Sequence, residues 1–247
     1  MGIEKLTDTE EKQQKIVEMF DDIASTYDAA NRILSMGIDI RWRKKGCDKA
    51  FEILDRKQID QITDVATGTG DLLIYWREQA ARRGVAVQRY VGVDPSVGML
   101  DVARTKVDFA EFIVGKAQDL PVEDGVSDIL SISYGIRNVV DRAEALREFN
   151  RALKPGGIVV ILEFTKQTRS GLLDKVVDFG MKKVLPRVGG FISKNYEAYR
   201  YLPDSIEEFL TTEMLSNELE AAGFEMRYTQ SFSMGISTLL VAQKVSG

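Results

Sequence analysis

A glycine-rich turn is the part of this sequence best suited to bind a ligand. It comprises residues 64–71, which follow an apolar run and precede a helical pattern. Gly68 and Gly70 let the backbone bend sharply and leave peptide groups open to a ligand. The spacing departs from the G-x-G-x-x-G fingerprint of dinucleotide-binding proteins, because Leu73 stands where a third glycine is required. The turn therefore predicts a ligand other than a dinucleotide.

The acidic side chains of this region favour a cationic ligand. Asp71 stands at the predicted helix start, where its carboxylate would repel a pyrophosphate bound to the free backbone amides. Asp94 ends the second predicted strand. Its distance in sequence from Gly70 of the turn is close to the roughly 20 residues at which such folds place a ribose-binding acid. S-adenosylmethionine carries a sulfonium, an ammonium and a ribose but no phosphate. The two acids therefore predict S-adenosylmethionine as the ligand, with ordinary helix capping as the alternative.

A second group of polar side chains follows the fourth predicted strand. Ser133 can hydrogen-bond to the ligand, while Arg137 and Asn138 project over the place where a methyl acceptor would meet the sulfonium. A guanidinium beside a phenol or quinol oxygen stabilises the oxyanion and lowers the pKa of that hydroxyl. The ionised ring could then accept a methyl group on carbon, with the protein supplying position and electrostatics. A structural ion pair of Arg137 is the alternative.

The composition restricts this chemistry and the class of protein. The 247 residues include no histidine and a single cysteine, Cys47, which excludes an intramolecular disulfide and a Cys/His metal site, so we expect no bound metal. A proton must therefore pass through a water held by Arg137 or Asn138, or through the Tyr27 phenol. The net charge of −5 lacks the basic excess of nucleic-acid-binding proteins, so we expect no nucleic-acid partner.

Short apolar runs alternate with helical patterns from residue 59 onward, which predicts an α/β fold with a mostly parallel, Rossmann-like sheet of seven strands. The strands are predicted at 61–66, 89–94, 111–115, 127–134, 157–164, 226–232 and 237–244, and helices at 71–83, 96–106 and 142–153. The last two strands should form an antiparallel hairpin through Ser233-Met234-Gly235. The turn and the polar side chains thus fall at the carboxyl ends of strands, where such sheets bind ligands.

The chain before the sheet predicts helices. Thr7 with Glu10 forms a capping-box signal, and apolar residues follow at helical spacing as far as Tyr27. We therefore assign residues 1–55 to an N-terminal helical cap. A basic cluster within it is typical of a solvated helix face, with contact to anionic lipid headgroups as the alternative. The cluster consists of Arg41, Arg43, Lys44 and Lys45.

Residues 56–247 form the second predicted unit, the domain that contains the sheet. An insertion at about 165–205 follows its fifth strand, where it is placed to act either as a lid or as an extra packing layer. Ser205 with Glu208 predicts the start of the next helix, with a break near residues 211–212. No apolar run has the length of a transmembrane helix, and the first residues do not resemble a signal peptide, so we expect a cytoplasmic protein.

Taken together, these segments resemble the UbiE/MenG/COQ5 family, the C-methyltransferases of menaquinone and ubiquinone biosynthesis. The resemblance runs from about Val17 to the C-terminus. Its segments are the opening stretch from Met19 to Asp28, the turn, and residues 134–139, 151–157, 163–164, 184–187 and 199–202. The turn alone would not distinguish this family from other methyltransferases, whereas the occurrence of all these segments in the same order is specific to it. The resemblance implies a class I S-adenosylmethionine-dependent methyltransferase whose acceptor is a polyprenylated quinol, with demethylmenaquinol as the first candidate.

The resemblance also implies roles for particular residues. Arg137 and Asn138 match the polar pair that the family places over the quinol ring, and Tyr27 matches its N-terminal tyrosine. S-adenosylmethionine would be bound by Thr69, Asp94, Lys116, Ala117 and Ser133, beside Gly68, Gly70 and Asp71 of the turn.

Five positions depart from the family pattern, among them Ala30 in place of a usual methionine, Ala152 of a valine and Thr165 of a serine. Asp39 stands where the family usually has histidine. Lys116 stands where the family has Asn or Asp to accept from the adenine amino group, and an ammonium has no acceptor. The Ala117 backbone or Asp119 would then have to take that role, or the donor would bind more weakly.

Several functions compete at this point. An NAD-dependent oxidoreductase fits the sheet but conflicts with Leu73 and Asp71. A polyprenyl-methoxy-benzoquinol of ubiquinone biosynthesis is the alternative acceptor, and a non-catalytic scaffold of quinone biosynthesis is the alternative to an enzyme. Because the substrate tail is long and apolar, we expect peripheral contact with the cytoplasmic face of the membrane through the N-terminal helix and the lid insertion. A homodimer is a further expectation.

Overall fold

The computed structural model of the chain describes residues 8–166 and 196–245. Its strands are β1 (Gln58–Val65), β2 (Ala86–Asp94), β3 (Glu111–Val114), β4 (Ser127–Ser133), β5 (Leu153–Phe164), β6 (Phe224–Phe232) and β7 (Ser237–Lys244). They form one seven-stranded sheet in the order β3-β2-β1-β4-β5-β7-β6. Strands β1 to β5 pair in parallel, and β7 runs antiparallel to both β5 and β6. The predicted mixed sheet with a closing hairpin is confirmed.

Helices cover both faces of this sheet. They are α1 (Asp8–Ser35), α2 (Ile38–Leu54), α3 (Asp71–Arg83), α4 (Val97–Lys106), α5 (Arg142–Ala152), α6 (Tyr196–Glu208) and α7 (Thr212–Ala221). One apolar layer centres on Phe149 and Leu215 of α5 and α7, and the other on Phe51 and Trp76 of α2 and α3. Because both faces are covered, the central strands β1 and β4 are buried along most of their length, including most of their polar residues.

The order of the strands creates a crevice at one edge of the sheet. The chain proceeds outward from β1 through β2 to β3 and then returns to place β4 on the other side of β1. The loops that follow β1 and β4 therefore leave the sheet in opposite directions, and the crevice between them opens at the strands' carboxyl ends. The turn of residues 64–71 and the polar residues after β4 border this crevice, as the sequence predicts.

Two helix boundaries differ from the sequence-based expectation. Helix α1 continues to Ser35 without a break, although residues 27–37 show no clear periodicity. The predicted helix start at Ser205 is wrong, since Ser205 lies inside α6, where its hydroxyl donates to the Leu202 carbonyl at 2.8 Å. The predicted break near 211–212 is confirmed, because the Thr211 hydroxyl caps α7. Residues 167–195, the larger part of the predicted lid, lie outside the described residues, so the lid stays a prediction.

The basic cluster at the start of α2 is also not the solvated face that we expected. Arg43 is buried, forms an ion pair with Asp39, and has its guanidinium 5.1 Å from the centre of the Tyr134 ring. Arg43 therefore belongs to the interior of the molecule, between α2 and the loop after β4. Lys44 pairs with Glu78 of α3 at 2.7 Å.

Two features are not found within residues 8–166 and 196–245. None of the helices in this part of the chain combines the length and the apolar character needed to cross a lipid bilayer. The same residues contain no group of three or more potential metal-ligating side chains arranged around one point.

Candidate active site

A cavity lies in the crevice at the carboxyl ends of β1, β2 and β4. Its wall on the sheet side is formed by Gly68, Asp94 and Ser133, and its opposite wall by Phe20 and Tyr27 of α1. Helix α1 therefore covers the open end of the crevice. The Asp21 carboxylate fixes it there by accepting hydrogen bonds from the Ser96 hydroxyl at 2.5 Å and the Gly98 amide at 2.8 Å.

The glycine-rich turn uses its two glycines differently. Both adopt the left-handed conformation, with φ of 55° at Gly68 and 80° at Gly70. A Cβ atom at Gly68 would meet no other atom within 4 Å, whereas one at Gly70 would lie 3.1 Å from the Val107 side chain. Gly68 thus borders open space on the cavity wall, and Gly70 allows close packing against α4. Only Gly68 of the pair is placed to contact a ligand.

Asp94 is a buried carboxylate at the end of β2 that lines the cavity. One of its oxygens accepts from the Gly68 amide at 2.8 Å, and the other accepts from the Ser96 amide at 2.9 Å. Burial raises the pKa of Asp94 to about 6, while these two amides oppose the shift. Each oxygen retains further acceptor capacity, which suits a pair of ribose hydroxyls.

Ser133 presents an unsatisfied hydroxyl to the same cavity. Its Oγ atom is buried and has no hydrogen-bond partner among the described residues. A buried hydroxyl without a partner is unfavourable, so a polar ligand in the cavity would relieve this penalty. The orphaned hydroxyl, the open space at Gly68 and the acceptor at Asp94 together fit S-adenosylmethionine.

Lys116 and Ala117 also line the cavity, as the family resemblance implies. The Asp119 amide donates to the Lys116 carbonyl at 3.2 Å, which closes a tight turn after β3. Asp119 itself is not among the residues that line the cavity. The structure therefore brings the Ala117 backbone to the site but not the Asp119 carboxylate.

Thr69 and Asp71 of the turn are directed away from the cavity. The Asp71 carboxylate forms ion pairs with Arg32 of α1 and, at 2.8 Å, with Lys106 of α4. The Thr69 hydroxyl donates to Asp28 of α1 at 2.6 Å. These bonds tie the turn to α1 and α4. The negative charge of Asp71, from which the sequence predicts a cationic ligand, is thus already balanced by two cations.

On the acceptor side, Tyr27 and Asn138 line the cavity. Tyr27 projects from α1 and packs edge-on against Phe20. Removal from water raises the pKa of the Tyr27 phenol, although the positive charges of Arg43 and Arg137 oppose this shift. The Tyr27 phenol therefore keeps its proton at neutral pH, and its hydroxyl can donate to a ligand in the cavity.

Arg137 lies behind this wall rather than on it. It belongs to a 3₁₀ turn (Ile136–Asn138), and its guanidinium forms a buried ion pair with Glu163 at 2.7 Å. The same Nη1 atom donates to the Tyr134 carbonyl at 2.7 Å, and Nε donates to the Ser205 hydroxyl at 3.3 Å. The ion pair that the sequence offered as the alternative for Arg137 is therefore present. It leaves Nη2 without a partner among the described residues.

The pairings of Glu163 with Arg137 and of Tyr201 with Asn138 were not predicted, although both residues lie in the family segments 163–164 and 199–202. The Glu163 carboxylate is fully buried and also accepts from the Arg137 and Phe164 amides. Burial raises the pKa of Glu163, and Arg137 opposes that shift. An acid inside the apolar strand 157–164 was the available signal for Glu163. Tyr201 of α6 donates its hydroxyl to the Asn138 side-chain oxygen at 3.0 Å, a contact across 63 residues that no local pattern indicates.

Comparison with known proteins gives a consistent result. The model of the ubiE/COQ5 methyltransferase family matches residues 8–244. A protein of Campylobacter jejuni named ubiquinone/menaquinone biosynthesis C-methyltransferase UbiE is 51% identical over 95% of this chain and 100% of its own length. The demethylmenaquinone methyltransferase of Thermus thermophilus is 40% identical over 92% of this chain and 100% of its own length.

Solved structures resemble the chain at the level of the fold. The complex between the Haloferax volcanii Trm112 methyltransferase activator and the putative methyltransferase contains a chain with a TM-score of 0.62, 17% identity, and coverage of 91% of this chain and 98% of that one. A SAM-dependent methyltransferase of Thermotoga maritima has a TM-score of 0.58, 19% identity, and coverage of 92% and 98%. These identities support a shared methyltransferase fold and nothing finer.

Proposed function

This chain belongs to the ubiE/COQ5 methyltransferase family, and from that premise we propose that it transfers a methyl group to a ring carbon of a polyprenylated quinol, demethylmenaquinol being the first candidate. It is an S-adenosylmethionine-dependent C-methyltransferase by family. The observation that carries the proposal is the single cavity that brings Asp94 and Ser133 together with Tyr27 and Asn138. Groups suited to a methyl donor and groups suited to a quinol thus border the same space.

The sheet side of the cavity would hold the methyl donor. When bound, S-adenosylmethionine supplies a methyl group made electrophilic by its sulfonium. Asp94 would accept from the ribose hydroxyls, Ser133 would gain the partner that its hydroxyl lacks, and the Gly68 backbone would allow close approach. Lys116 and Ala117 line the same space and would border the adenine, whose amino group could donate to the Ala117 backbone carbonyl but not to the Lys116 ammonium.

The helical side of the cavity would hold the quinol. Negative charge on a ring oxygen would be stabilised by the Asn138 amide and by the positive charge of Arg137 behind it. Glu163 balances part of that charge and fixes the guanidinium. Because the Tyr27 pKa is raised, its phenol would donate to the acceptor rather than remove a proton. With no histidine in the chain, water is the expected proton acceptor.

The names of the relatives guide the choice of quinol. Two of them, from Thermus thermophilus and Chlorobaculum tepidum, are named demethylmenaquinone methyltransferase. The Campylobacter jejuni relative has a name that includes ubiquinone as well as menaquinone. A polyprenyl-methoxy-benzoquinol is therefore the second candidate acceptor.

We also propose that the protein contacts the membrane surface where its apolar substrate resides. The end of α1, the turn that follows and the start of α2 expose three apolar side chains, with exposed fractions of 56% for Ile33, 90% for Met36 and 39% for Ile38. Arg41 is exposed in the first turns of α2 and would suit an anionic headgroup. A homodimer stays an expectation, which sedimentation analysis would test.

The purified protein tests the proposal directly. It is incubated with S-adenosylmethionine and, separately, with short-chain demethylmenaquinol and the corresponding demethylated benzoquinol. Formation of S-adenosylhomocysteine and of a methylated quinol, both followed by mass spectrometry, supports the proposal and ranks the two acceptors. Donor binding without turnover on either quinol would favour the non-catalytic scaffold instead.

A further inference from the structure

Helix α6 holds both members of the polar pair at the acceptor side. Tyr201 and Ser205 lie one helical turn apart on α6, so they occupy the same face of the helix. The Tyr201 hydroxyl contacts Asn138, and the Ser205 hydroxyl contacts Arg137. A helix distant in sequence therefore fixes two adjacent residues of the 3₁₀ turn.

The hydrogen bonds define which groups of Asn138 are still available. Its side-chain oxygen accepts from the Tyr201 hydroxyl at 3.0 Å. Its Nδ2 atom has no partner in the part of the chain that the structure describes. Because the Asn138 side chain lines the cavity, the amide nitrogen is the group left to serve a ligand.

We infer that Tyr201 is a positioning residue, whose hydroxyl holds the Asn138 amide with its nitrogen available to donate to the ring oxygen of the acceptor. The inference rests on the proposed function, since it assumes a quinol in the cavity. An asparagine amide can rotate by half a turn, and the reversed orientation would present a carbonyl oxygen to the developing oxyanion. A donor stabilises that charge, whereas an acceptor repels it.

The surroundings of Tyr201 keep its hydroxyl protonated, so that it can donate a hydrogen bond. Burial raises the pKa of the Tyr201 phenol, although the positive charge of Arg137 opposes the shift. The protonated hydroxyl can donate to the Asn138 amide oxygen, as it does in the structure, whereas a phenolate could only accept and would favour the reversed amide. Tyr201 also borders a groove together with Ile16 and Met19 of α1.

The test compares two tyrosines that each lose one hydroxyl. Tyr201→Phe removes the bond to Asn138, and the matched control Tyr228→Phe removes a bond to Gln230 on β6. We expect Tyr201→Phe to lower kcat roughly three- to tenfold, the range for one neutral hydrogen bond, with the KM for S-adenosylmethionine unchanged. Tyr228→Phe should leave both constants unchanged. Equal kcat values for the two variants would overturn the inference.

A double-mutant cycle separates positioning from a general structural role. If Tyr201 acts through Asn138, adding Tyr201→Phe to Asn138→Ala should cause no further loss of kcat. Additive losses would show that Tyr201 acts by another route and would overturn the inference. Full activity of Asn138→Ala would remove the assumed role of Asn138 and the inference with it. Absence of methyl transfer by the unaltered enzyme would instead contradict the proposed function itself.

If Tyr201→Phe fails to fold, a second variant tests whether the Asn138 amide nitrogen donates a hydrogen bond to the ring oxygen. Asn138→Asp replaces the amide nitrogen with a carboxylate oxygen of similar size. We expect it to be less active than Asn138→Ala, because a negative charge would face the developing oxyanion. Activity equal to or above that of Asn138→Ala would contradict the proposed orientation of the amide.

Discussion

The two sides of the cavity are built by different means. The donor side consists of loops that follow β1, β2 and β4, which are neighbours in one sheet. Backbone geometry places Gly68, Asp94 and Ser133 there. The acceptor side is assembled from Tyr27 on α1, Asn138 in a 3₁₀ turn and Tyr201 on α6. Side-chain contacts between distant segments place those groups.

Because the two sides are built differently, we expect substitutions on one side to change the affinity for S-adenosylmethionine and substitutions on the other to change kcat. The donor side contains a carboxylate and a hydroxyl fixed by the sheet, so changes there should alter donor binding. The acceptor side depends on the bonds of Arg137 to Glu163 and of Asn138 to Tyr201. Changes there should lower kcat while donor binding persists. Substitutions on each side can confirm or break this division.

The largest effect is expected for Arg137→Ala. Arg137 acts from behind the cavity wall as a positive charge, so the value of about 2.7–4 kcal/mol for losing a direct oxyanion donor is an upper bound, and kcat should fall by up to roughly two to three orders of magnitude. The dissociation constant of S-adenosylmethionine, measured by calorimetry, should stay near that of the unaltered enzyme. The substitution leaves the Glu163 charge buried and unpaired, which destabilises the fold. Arg137→Ala with Glu163→Gln is the control, and near-normal turnover in it would assign Arg137 a structural role.

Asp94→Asn should have the next largest effect, on the opposite side of the comparison. A hydrogen bond to a charged group contributes about 1.5–3 kcal/mol, so the dissociation constant of S-adenosylmethionine should rise roughly ten- to hundredfold. The value of kcat at saturating donor should change much less. Asp101→Asn on the outer face of α4, which loses only an exposed pair with Arg104, is the control. A loss of kcat without weaker binding would break the division between the two sides.

The pH dependence of donor binding sharpens the same point. The pKa of Asp94 is raised to about 6, so the carboxylate gains its proton as the pH falls through that value. The protonated acid accepts fewer hydrogen bonds, so binding of S-adenosylmethionine should weaken by roughly tenfold between pH 7 and pH 5. Calorimetry across this range measures the effect. The Asp94→Asn variant should show a flat profile, and a flat profile in the unaltered enzyme would rule out Asp94 as the titrating ligand.

The smallest effect concerns the surface rather than the cavity. Met36→Glu places a charge on the exposed turn between α1 and α2, and Met234→Glu does the same on the hairpin turn before β7. Both methionines are exposed and both have positive φ, which makes them a matched pair. We expect Met36→Glu alone to weaken binding to anionic vesicles a few-fold, because a side chain that enters the membrane surface only in part contributes a fraction of the about 1.5–3 kcal/mol of full burial. If equal fractions of the two variants sediment with anionic vesicles, the proposed membrane contact is contradicted.

The sequence was most informative about the donor side. The strands and the positions of Gly68, Asp94 and Ser133 could be predicted, because each depends on local periodicity and on the ends of neighbouring strands. Asp71 shows the limit of that approach. Its type and position suggested a ligand contact, yet Arg32 and Lys106 from two helices neutralise it.

The acceptor side was less predictable because its contacts join segments far apart in the chain. Arg137 and Asn138 could be singled out by their place after β4, but their pairing with Glu163 and Tyr201 could not. Likewise, Arg43 resembled a surface cation until the fold placed it beside Asp39 and Tyr134. Pairings of this kind depend on tertiary packing, which periodicity and spacing do not encode.

The most direct test of the central claim uses S-adenosylmethionine with a deuterated methyl group. The enzyme is incubated with this donor and short-chain demethylmenaquinol, and the position of the label in the product is determined by fragmentation mass spectrometry and NMR. We predict one labelled methyl group on a ring carbon for each S-adenosylhomocysteine formed. A label on a ring oxygen, or donor binding with no label transferred to any quinol, would contradict carbon methylation by this cavity.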